Sequence, residues 1–522
     1  MHRLLCFVIV VIIAIIGKSE PASAQEIGAP ATLIRVEDPV YEYITRLQRR
    51  GHMLSLNPTA LPYTRGEIAG ALSRVDSRRL SPREQAWYDT IVERVQVRDG
   101  GRNAARVGAE VRAGVRGSNT ARLDPMRPSD DVWRAMQFAS IIGYAGSGPW
   151  ALQIGAGHDR AYTLDPEGVS PVRRLEARNE NTYAGVSTRL FSLYIGRYSR
   201  HWGEAGQPGL FVSDNPRSFD ALEFRIGGDR FSLRSIAGEL DAMEADETYT
   251  GRAFREGSVR RYLTTHRIDW RPRNNIAVTV MESALYSGAN STWALKYLNP
   301  VQVFALAIDN QPKNDENKGL VGGNLWMQFG RLTMNGQLLI DDIDIMNESG
   351  EPVSVALAGR AVWATRGAWD VGLTAKLVTA RTYNTHQTEG QYLYLNRGLA
   401  TNFSDFVSAG FFADHYADGW LDGLRLTPRL DYLGNGTFDM RRPFPANEGD
   451  VDWILDGIPE HTFRISTEVY YMPTRYLWVA ADPGVNFVRD QAHMRGNNVT
   501  RFVGTFSFGV RVPLSGDVPL TW

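Results

Sequence analysis

The sequence predicts an all-β transmembrane barrel of antiparallel strands, preceded by a small N-terminal α-helical bundle. Three observations predict it. From residue 106 onwards, runs of about ten residues alternate apolar and polar positions, the pattern of strands with lipid on one face and water on the other. The chain carries 50 Gly, 13 Trp, 21 Tyr and 21 Phe at a mean hydropathy of −0.28, as happens when lipid-facing and lumen-facing residues average out. No apolar stretch of about 18 residues or more follows the N-terminal one, which excludes helical spans. A large secreted all-β protein shares this composition, and the charged strand faces described below favour the barrel.

The N-terminus reads as a secretory signal peptide over 1–24. Met1-His2-Arg3 is the short positive region, Leu4 to Ile16 the apolar core, and Ala22-Ser23-Ala24 the small-residue cleavage site. The apolar run is shorter than the ~20 residues a retained anchor needs. Cys6, the one cysteine, lies inside that core. The mature chain is therefore expected to have no disulfide, no thiolate nucleophile and no cysteine metal site. The formal net charge of −1 gives no argument for nucleic acid.

Residues 25–98 are expected to form the helical bundle. Asp38-Pro39 supplies a cap and a first-turn proline, and Val40, Ile44 and Leu47 fall on one face before Gly51. Thr64-Arg65-Gly66-Glu67 is a capping box, opening a helix with Ile68, Leu72 and Val75 on its apolar face. Ser81-Pro82-Arg83-Glu84 is another, followed by Trp87, Ile91 and Val95. Each helix has about three turns and is marginal alone, so its stripe must pack on the others or on the barrel. Asp99-Gly100-Gly101 marks the boundary, and 99–522 is the barrel.

In that region Val107, Ala109, Val111, Ala113 and Val115 oppose Arg106, Glu110, Arg112 and Arg116. A soluble sandwich rarely places four charges on one face of a strand, whereas a wet lumen calls for them. Leu222, Phe224 and Ile226 oppose Glu223 and Arg225 in the same way, and Trp369, Val371 and Leu373 oppose Asp370, Thr374 and Lys376. Phe463 and Ile465 oppose Arg464 and Glu468, and Phe502, Phe506 and Phe508 oppose Arg501, Thr505 and Ser507. The ~420 residues available, at roughly 20–26 per strand and turn, give roughly 16–20 strands, an even number. Trp150, Trp363, Trp369, Tyr471 and Trp478 read as outward aromatics of the interfacial girdles, and Trp522 as a terminal aromatic.

Most enzymatic signatures are absent. There is no H-E-x-x-H, G-x-S-x-G, P-loop or strand-borne G-x-G-x-x-G, and no histidine pair has metal-ligand spacing. The dense acidic cluster at Ile340-Asp341-Asp342-Ile343-Asp344 reads as a strand end or a lumen ion pair with arginine, with a general acid/base pair or a calcium site as the rival. Asp309 to Lys318 lacks the glycine and glutamate of a calcium loop. The loop from Arg197 to Arg217 is richer. Aromatic faces stack on sugar rings and arginine forks chelate carboxylates. Arg197, Tyr198, Trp202 and Arg217 therefore suit an acidic polysaccharide, or else Trp202 and the glycines pack a folded-in loop against the wall. Tyr297-Leu298-Asn299-Pro300 and Tyr392-Leu393-Tyr394-Leu395-Asn396-Arg397 repeat that composition more weakly.

Several segments, in order along nearly the whole mature chain, resemble the Wzi capsule-assembly family of outer-membrane proteins. They are Pro39-Val40-Tyr41-Glu42-Tyr43 to Gly51 and Leu61-Pro62-Tyr63-Thr64-Arg65-Gly66-Glu67. Next come Gly196-Arg197 through Trp202-Gly203 to Ser213-Asp214-Asn215-Pro216-Arg217, then His266-Arg267-Ile268-Asp269-Trp270. Tyr297-Leu298-Asn299-Pro300 and Asp341-Asp342 complete the series. The resemblance implies a barrel of about eighteen strands with a periplasmic helical bundle, in the cell outer membrane. It also implies a lectin-like role, holding capsular or exopolysaccharide without cleaving it. Polysaccharide and outer-membrane lipid are the partners implied, with polysaccharide export machinery beside them, and neither a cofactor nor an enzyme activity is expected. Trp202-Gly203-Glu204-Ala205-Gly206 departs from the expected W-G-x-G, and Asn396-Arg397 continues with Gly398 where Arg-Pro is expected. The candidate polysaccharide-binding residues are Arg197, Tyr198, Trp202, Asp214, Asn215, Arg217, Tyr297, Asn299, Asp341, Asp342, Tyr392 and Arg397. The rival functions are a diffusion channel with an open lumen and a hydrolase built on Asp341, Asp342 and a histidine.

Overall fold

The structure is a computed structural model that describes residues 29–95, 104–168, 177–243, 259–288, 293–304, 316–342, 354–417, 421, 423–443 and 451–519. The signal segment 1–24, the Asp99-Gly100-Gly101 boundary, Ile343-Asp344, most of the span from Asp309 to Lys318, and Trp522 lie outside the described residues.

The alternating runs form the strands. They are β1 (Ala104–Ser118), β2 (Arg134–Ser147), β3 (Trp150–Asp159), an interrupted β4 (Arg178–Asn179 and Thr182–Ser187), β5 (Phe191–Arg197) and β6 (Asp220–Gly227). Then come β7 (Phe231–Glu239), β8 (Arg260–Arg273), β9 (Ile276–Gly288), β10 (Glu316–Phe329), β11 (Leu332–Asp342) and β12 (Ser354–Ala364). The series ends with β13 (Trp369–Val378), β14 (Phe406–Tyr416), β15 (Leu424–Asn435), β16 (Glu460–Thr474), β17 (Leu477–Arg489) and β18 (Val499–Pro519). Every neighbour pair is antiparallel, the two pieces of β4 both pair with β3, and β1 pairs with β18 as well as with β2. The result is a closed barrel of 18 strands. Closure removes the edges that so long a sheet would otherwise present.

The two parities of each strand meet opposite surroundings. Val115, Ile226, Leu373, Ile465 and Phe508 are exposed on the outside, while Arg106, Glu223, Asp370, Arg464 and Arg511 are buried inside. Trp150, Trp363 and Trp369 are exposed beside short turns, as a girdle requires. Trp478 is not part of it. Its parity is inward, and its ring stacks on Phe138 with centroids 5.8 Å apart. Gly509 permits this, because a Cβ there would lie 2.5 Å from the indole.

Short connections such as 148–149, 274–275 and 475–476 gather at one end of the barrel, and the long ones, such as 198–219 and 379–405, at the other. The helices are α1 (Val40–Arg49), α2 (Arg65–Leu72) and α3 (Pro82–Val95). The Asp38 carboxylate accepts the Val40 N–H at 3.0 Å, and the Thr64–Glu67 capping box is reciprocal at 3.1 and 2.8 Å. The Ser81 N–H likewise donates to Glu84 at 2.8 Å. The helices enclose a core of their own that includes Ile44, Leu47, Ile68, Trp87 and Ile91. They dock into the short-turn mouth, where Trp87 packs edge-on against Tyr416 of β14 at 5.4 Å and Arg50 pairs with Asp370 of β13 at 2.6 Å. From the same end the segment before α1 runs along the wall, its Leu33 N–H donating to the Tyr183 hydroxyl at 2.9 Å.

Candidate functional site

The loop from Arg197 to Arg217 folds into the lumen. Its Leu210-Phe211-Val212 triplet is too apolar to leave in water, and it packs in a core with inward wall residues such as Leu263, Leu320 and Leu339. Trp202 closes the loop through its backbone N–H to the Val212 carbonyl at 2.8 Å. Gly209 lies against that closure, where a Cβ would meet the Trp202 carbonyl oxygen at 2.9 Å. Residues 379–405 fold in beside it, with the Tyr383 and Tyr392 hydroxyls donating to the Leu210 and Phe211 carbonyls at 2.8 and 3.0 Å.

The two inserts meet in mid-lumen. Leu61, from the helical side, and His201, from the loop side, form a β-bridge with both N–H···O bonds, 2.9 and 3.1 Å. Arg267 of β8, fully buried, holds the junction to the wall. It donates to the Thr59 carbonyl and hydroxyl at 2.5 and 2.6 Å and chelates Asp269 at 2.7 to 3.0 Å, and its guanidinium lies 5.6 Å from the Trp202 ring.

This placement decides which sequence candidates can meet a ligand. Tyr198, Trp202, Tyr297 and Tyr392 are at most 4 % exposed, so none offers a free ring face to a sugar. Tyr198 donates to Glu223 at 2.7 Å beneath Arg200, and Tyr297 stacks on Tyr286 at 4.1 Å. Asp341 pairs with Lys318 at 2.6 Å. Asp342 ends β11, and its side chain is outside the description. Asn299 is exposed and accepts the Val301 N–H at 3.3 Å. Arg197 pairs with the exposed Asp220.

Asp214, Asn215, Arg217 and Arg397 do come together, where the inserted loop returns towards β6. Arg397 donates to the Asn215 carbonyl and side-chain oxygen at 2.8 and 2.7 Å and to Asp165 at 2.5 Å. Arg217 pairs with Glu180 at 3.0 Å and lies over the Tyr162 ring at 4.7 Å. Beside them Glu167 is ionised down to about pH 2, because Arg127 at 2.7 Å, with Arg441 and Arg122, outweighs the upward push of burial. Burial also opposes the charged form of His201. Asp214 at 2.9 Å and the Glu204 carbonyl at 3.2 Å win, holding the imidazolium above the ordinary histidine value and Asp214 below the ordinary carboxylate value. Both ring nitrogens are thus engaged, and His201 has no open position for general-base chemistry.

Two cavities flank this cluster. One, of about 380 Å³, takes in Asp214 and Arg217 and runs along β1, β2, β3 and β16 to the β16–β17 turn. The other, of about 450 Å³, takes in Asn215 and Arg397 and is faced by Lys376, Asn402, Phe403 and Tyr432. Among the described residues Lys376 makes no hydrogen bond and no ion pair within 4.0 Å. The Asp124, Asp431, Glu468 and Asp482 carboxylates of this lining each pair with an arginine, which leaves amides, hydroxyls, aromatic rings and the Lys376 ammonium to bind an acidic saccharide. Among the described residues no group of three or more histidine and carboxylate side chains is placed to hold a metal. Sequence reasoning missed Tyr162, Asp165, Glu167 and Asn402. Asp165-Pro166-Glu167-Gly168 reads only as a turn, and its partners lie far along the chain. Lys376 was visible as a charge on the inward parity of β13.

No family model and no curated protein matches the chain. Among solved structures it is similar to Wzi of Escherichia coli, described as an outer membrane protein involved in group 1 capsule assembly and a carbohydrate binding β-barrel. The identity is 12%, the match covers 92% of this chain and 99% of that one, and the TM-score is 0.65. It is similar more loosely to the outer membrane protein OpdK of Pseudomonas aeruginosa, at 12% identity over 79% of this chain and 99% of that one, TM-score 0.43. A BenF-like porin of Pseudomonas fluorescens matches at 10% identity over 79% of this chain and 99% of that one, TM-score 0.45. At these identities the likeness bears on the fold, that of an outer-membrane β-barrel.

Proposed function

We propose that this chain is a non-enzymatic outer-membrane protein that binds capsular or exopolysaccharide and holds it at the cell surface. On this reading the short turns and the helical insert face the periplasm, within reach of export machinery, and the long loops face outward, the usual arrangement of bacterial barrels. The observation that carries the reading is the double insert. A channel gains nothing from an element entering at each mouth and joined through Leu61 and His201 at the centre. A binding scaffold gains rigid, polar cavities between insert and wall. The carbohydrate-binding description of Wzi supports the same reading. Weak contacts repeated along a polymer retain it by avidity, so no single site needs to be tight.

The test is to delete the gene and measure cell-bound against released polysaccharide. The released fraction is expected to rise, and unchanged partitioning removes the proposal. A planar-bilayer recording of the purified protein complements it. Near silence is expected, whereas steady porin-like conductance favours the diffusion channel.

A further inference from the structure

The first of the two cavities, along β1 and β16, holds a concentration of guanidinium that the fold does not use up. Arg35 from the segment before α1, Arg94 from α3, Arg112 from β1 and Arg511 from β18 converge on two carboxylates, Asp38 and Glu110. Arg94 reaches Asp38 at 2.8 Å, Arg112 and Arg511 each reach Glu110 at 2.6 Å, and Arg35 also bonds Glu110. All six side chains are at most 18 % exposed. Four cations against these two anions and Glu37 of the same lining leave one positive charge in excess at this end of the cavity.

The donors are not exhausted either. Among the described residues Arg35 bonds only through Nη2, and Arg112 only through Nε and Nη2. Arg94 bonds through Nε and, at 3.7 Å, through Nη1 to the Met472 sulfur. All three line the cavity, so guanidinium N–H groups of each are left for whatever fills it. The other charges facing this space are mostly matched. Arg116 lies 3.9 Å from Asp159, Arg217 pairs with Glu180 at 3.0 Å, Asp214 with His201 at 2.9 Å, and Arg475 with Glu93 at 3.5 Å. Glu37, exposed on the segment that carries Arg35, is the remaining acid of the lining.

We propose that this cavity is an oxyanion site in which Arg35, Arg94 and Arg112 receive a carboxylate or phosphate group. Guanidinium forks match the paired oxygens of both, and a site of low dielectric strengthens each charge-assisted bond. A volume of about 380 Å³ admits a free phosphate or an acidic monosaccharide unit. The sugar-acid arm rests on the polysaccharide reading, because the cavity also takes in Asp214 and Arg217, whereas the phosphate arm is independent of it.

The full-length protein in detergent at low ionic strength is titrated calorimetrically with inorganic phosphate, with glucuronate, and with glucose as the neutral control. Both anions, or one of them, are expected to bind more tightly than glucose, and the tighter one identifies the source as phosphate or sugar acid. R35Q and R94Q are each expected to weaken that binding about tenfold, the loss of one charge-assisted fork. E37Q, which removes the remaining acid without touching the arginines, is expected to tighten it a few-fold. R331Q, at a turn of the same end, serves as the control and leaves it unchanged. Folding of each variant is checked by heat-dependent gel migration. Anion binding no tighter than that of glucose overturns the proposal, and so does binding that R35Q and E37Q both leave at the wild-type value.

Discussion

Arg267 is where the wall, the helical insert and the loop insert are tied together, and its removal gives the sharpest test of the double-insert architecture. In R267M the Asp269 carboxylate, 2 % exposed, keeps only the Thr279 hydroxyl at 2.7 Å as a side-chain donor. Breaking a buried pair by removing one partner costs roughly 3–5 kcal/mol, most of it the isolated charge that stays behind. The two bonds to Thr59 are lost as well, and they are what fixes the segment leading to Leu61. In R267M/D269N the charge is gone and only hydrogen bonds are missing, so the cost falls to about 1–3 kcal/mol. The double variant is thus expected to be more stable than the single one by about 2 kcal/mol. Urea unfolding in lipid vesicles, followed by tryptophan fluorescence, measures this, and bilayer recordings of R267M are expected to show openings that the wild type lacks. Should R267M unfold within 1 kcal/mol of wild type, or the double variant prove the weaker, the tie is not electrostatic and the reasoning fails.

Three further outcomes follow from the same geometry. W202A is expected to cost about 3–5 kcal/mol through a cavity in the insert core, while W202F keeps polysaccharide retention near wild type. Loss of retention in W202F with an intact, silent barrel means instead that the indole touches sugar. His201 has a folded-state pKa raised above the ordinary 6.5, so its contribution is fully present below that value and is lost as pH rises through the folded one. Asp214 is depressed below 3.8, so its contribution is present above 3.8 and lost as pH falls through the lower folded value. Protease cleavage within 198–219 is therefore expected to be slowest between those limits and faster in alkali, with H201Q flattening the alkaline limb, and an unchanged limb in H201Q discards the latch. K376M removes the unpaired cation of the second cavity, worth about 1 kcal/mol or roughly fivefold per contact. Release of acidic polysaccharide is expected to rise and that of a neutral polymer to stay constant, and equal effects on both count against a charge contact.

What could be read from the sequence was local. The parity of β1, with Arg106, Glu110, Arg112 and Arg116 on one side, already required a wet interior, and both capping boxes form as their residues suggest. The sequence left open whether the Arg197–Arg217 loop meets sugar or packs inward, because Trp, Arg and Gly serve either end. The choice is made by contacts with Leu61, Arg267 and Leu399, none of them near in sequence. Arg397 and Asp165 are separated by 232 positions, and no spacing rule joins them. Trp478 is a different kind of miss. The outward run of Val479, Val485 and Phe487 along β17 sets its parity inward, so counting alternate residues would have placed it in the lumen.

The inward charges of such a barrel fall into two classes, and the division has consequences for function. An inward arginine on a strand cannot be left dry and unpaired, so wherever an insert touches the wall it brings oxygen to meet it. Arg271 takes the Ser55 carbonyl at 2.7 Å, Arg360 the Ala205 carbonyl at 3.0 Å, Lys318 the Asn384 carbonyl at 2.6 Å, and Arg425 the Glu42 carboxylate at 2.8 Å. These contacts fix the inserts, and their removal loosens the plug without touching a ligand. Lys376 and the open guanidinium edges of Arg35, Arg94 and Arg112 belong to the other class, because insert and wall draw apart there and leave room. Lys376, and those N–H groups of the three arginines that no carboxylate takes up, have water or a ligand as their partner. Substituting the first class should therefore alter stability and conductance, whereas substituting Lys376 should alter binding while unfolding stays put. Finding the two sets of variants with indistinguishable effects would mean that the inward charges serve the fold alone.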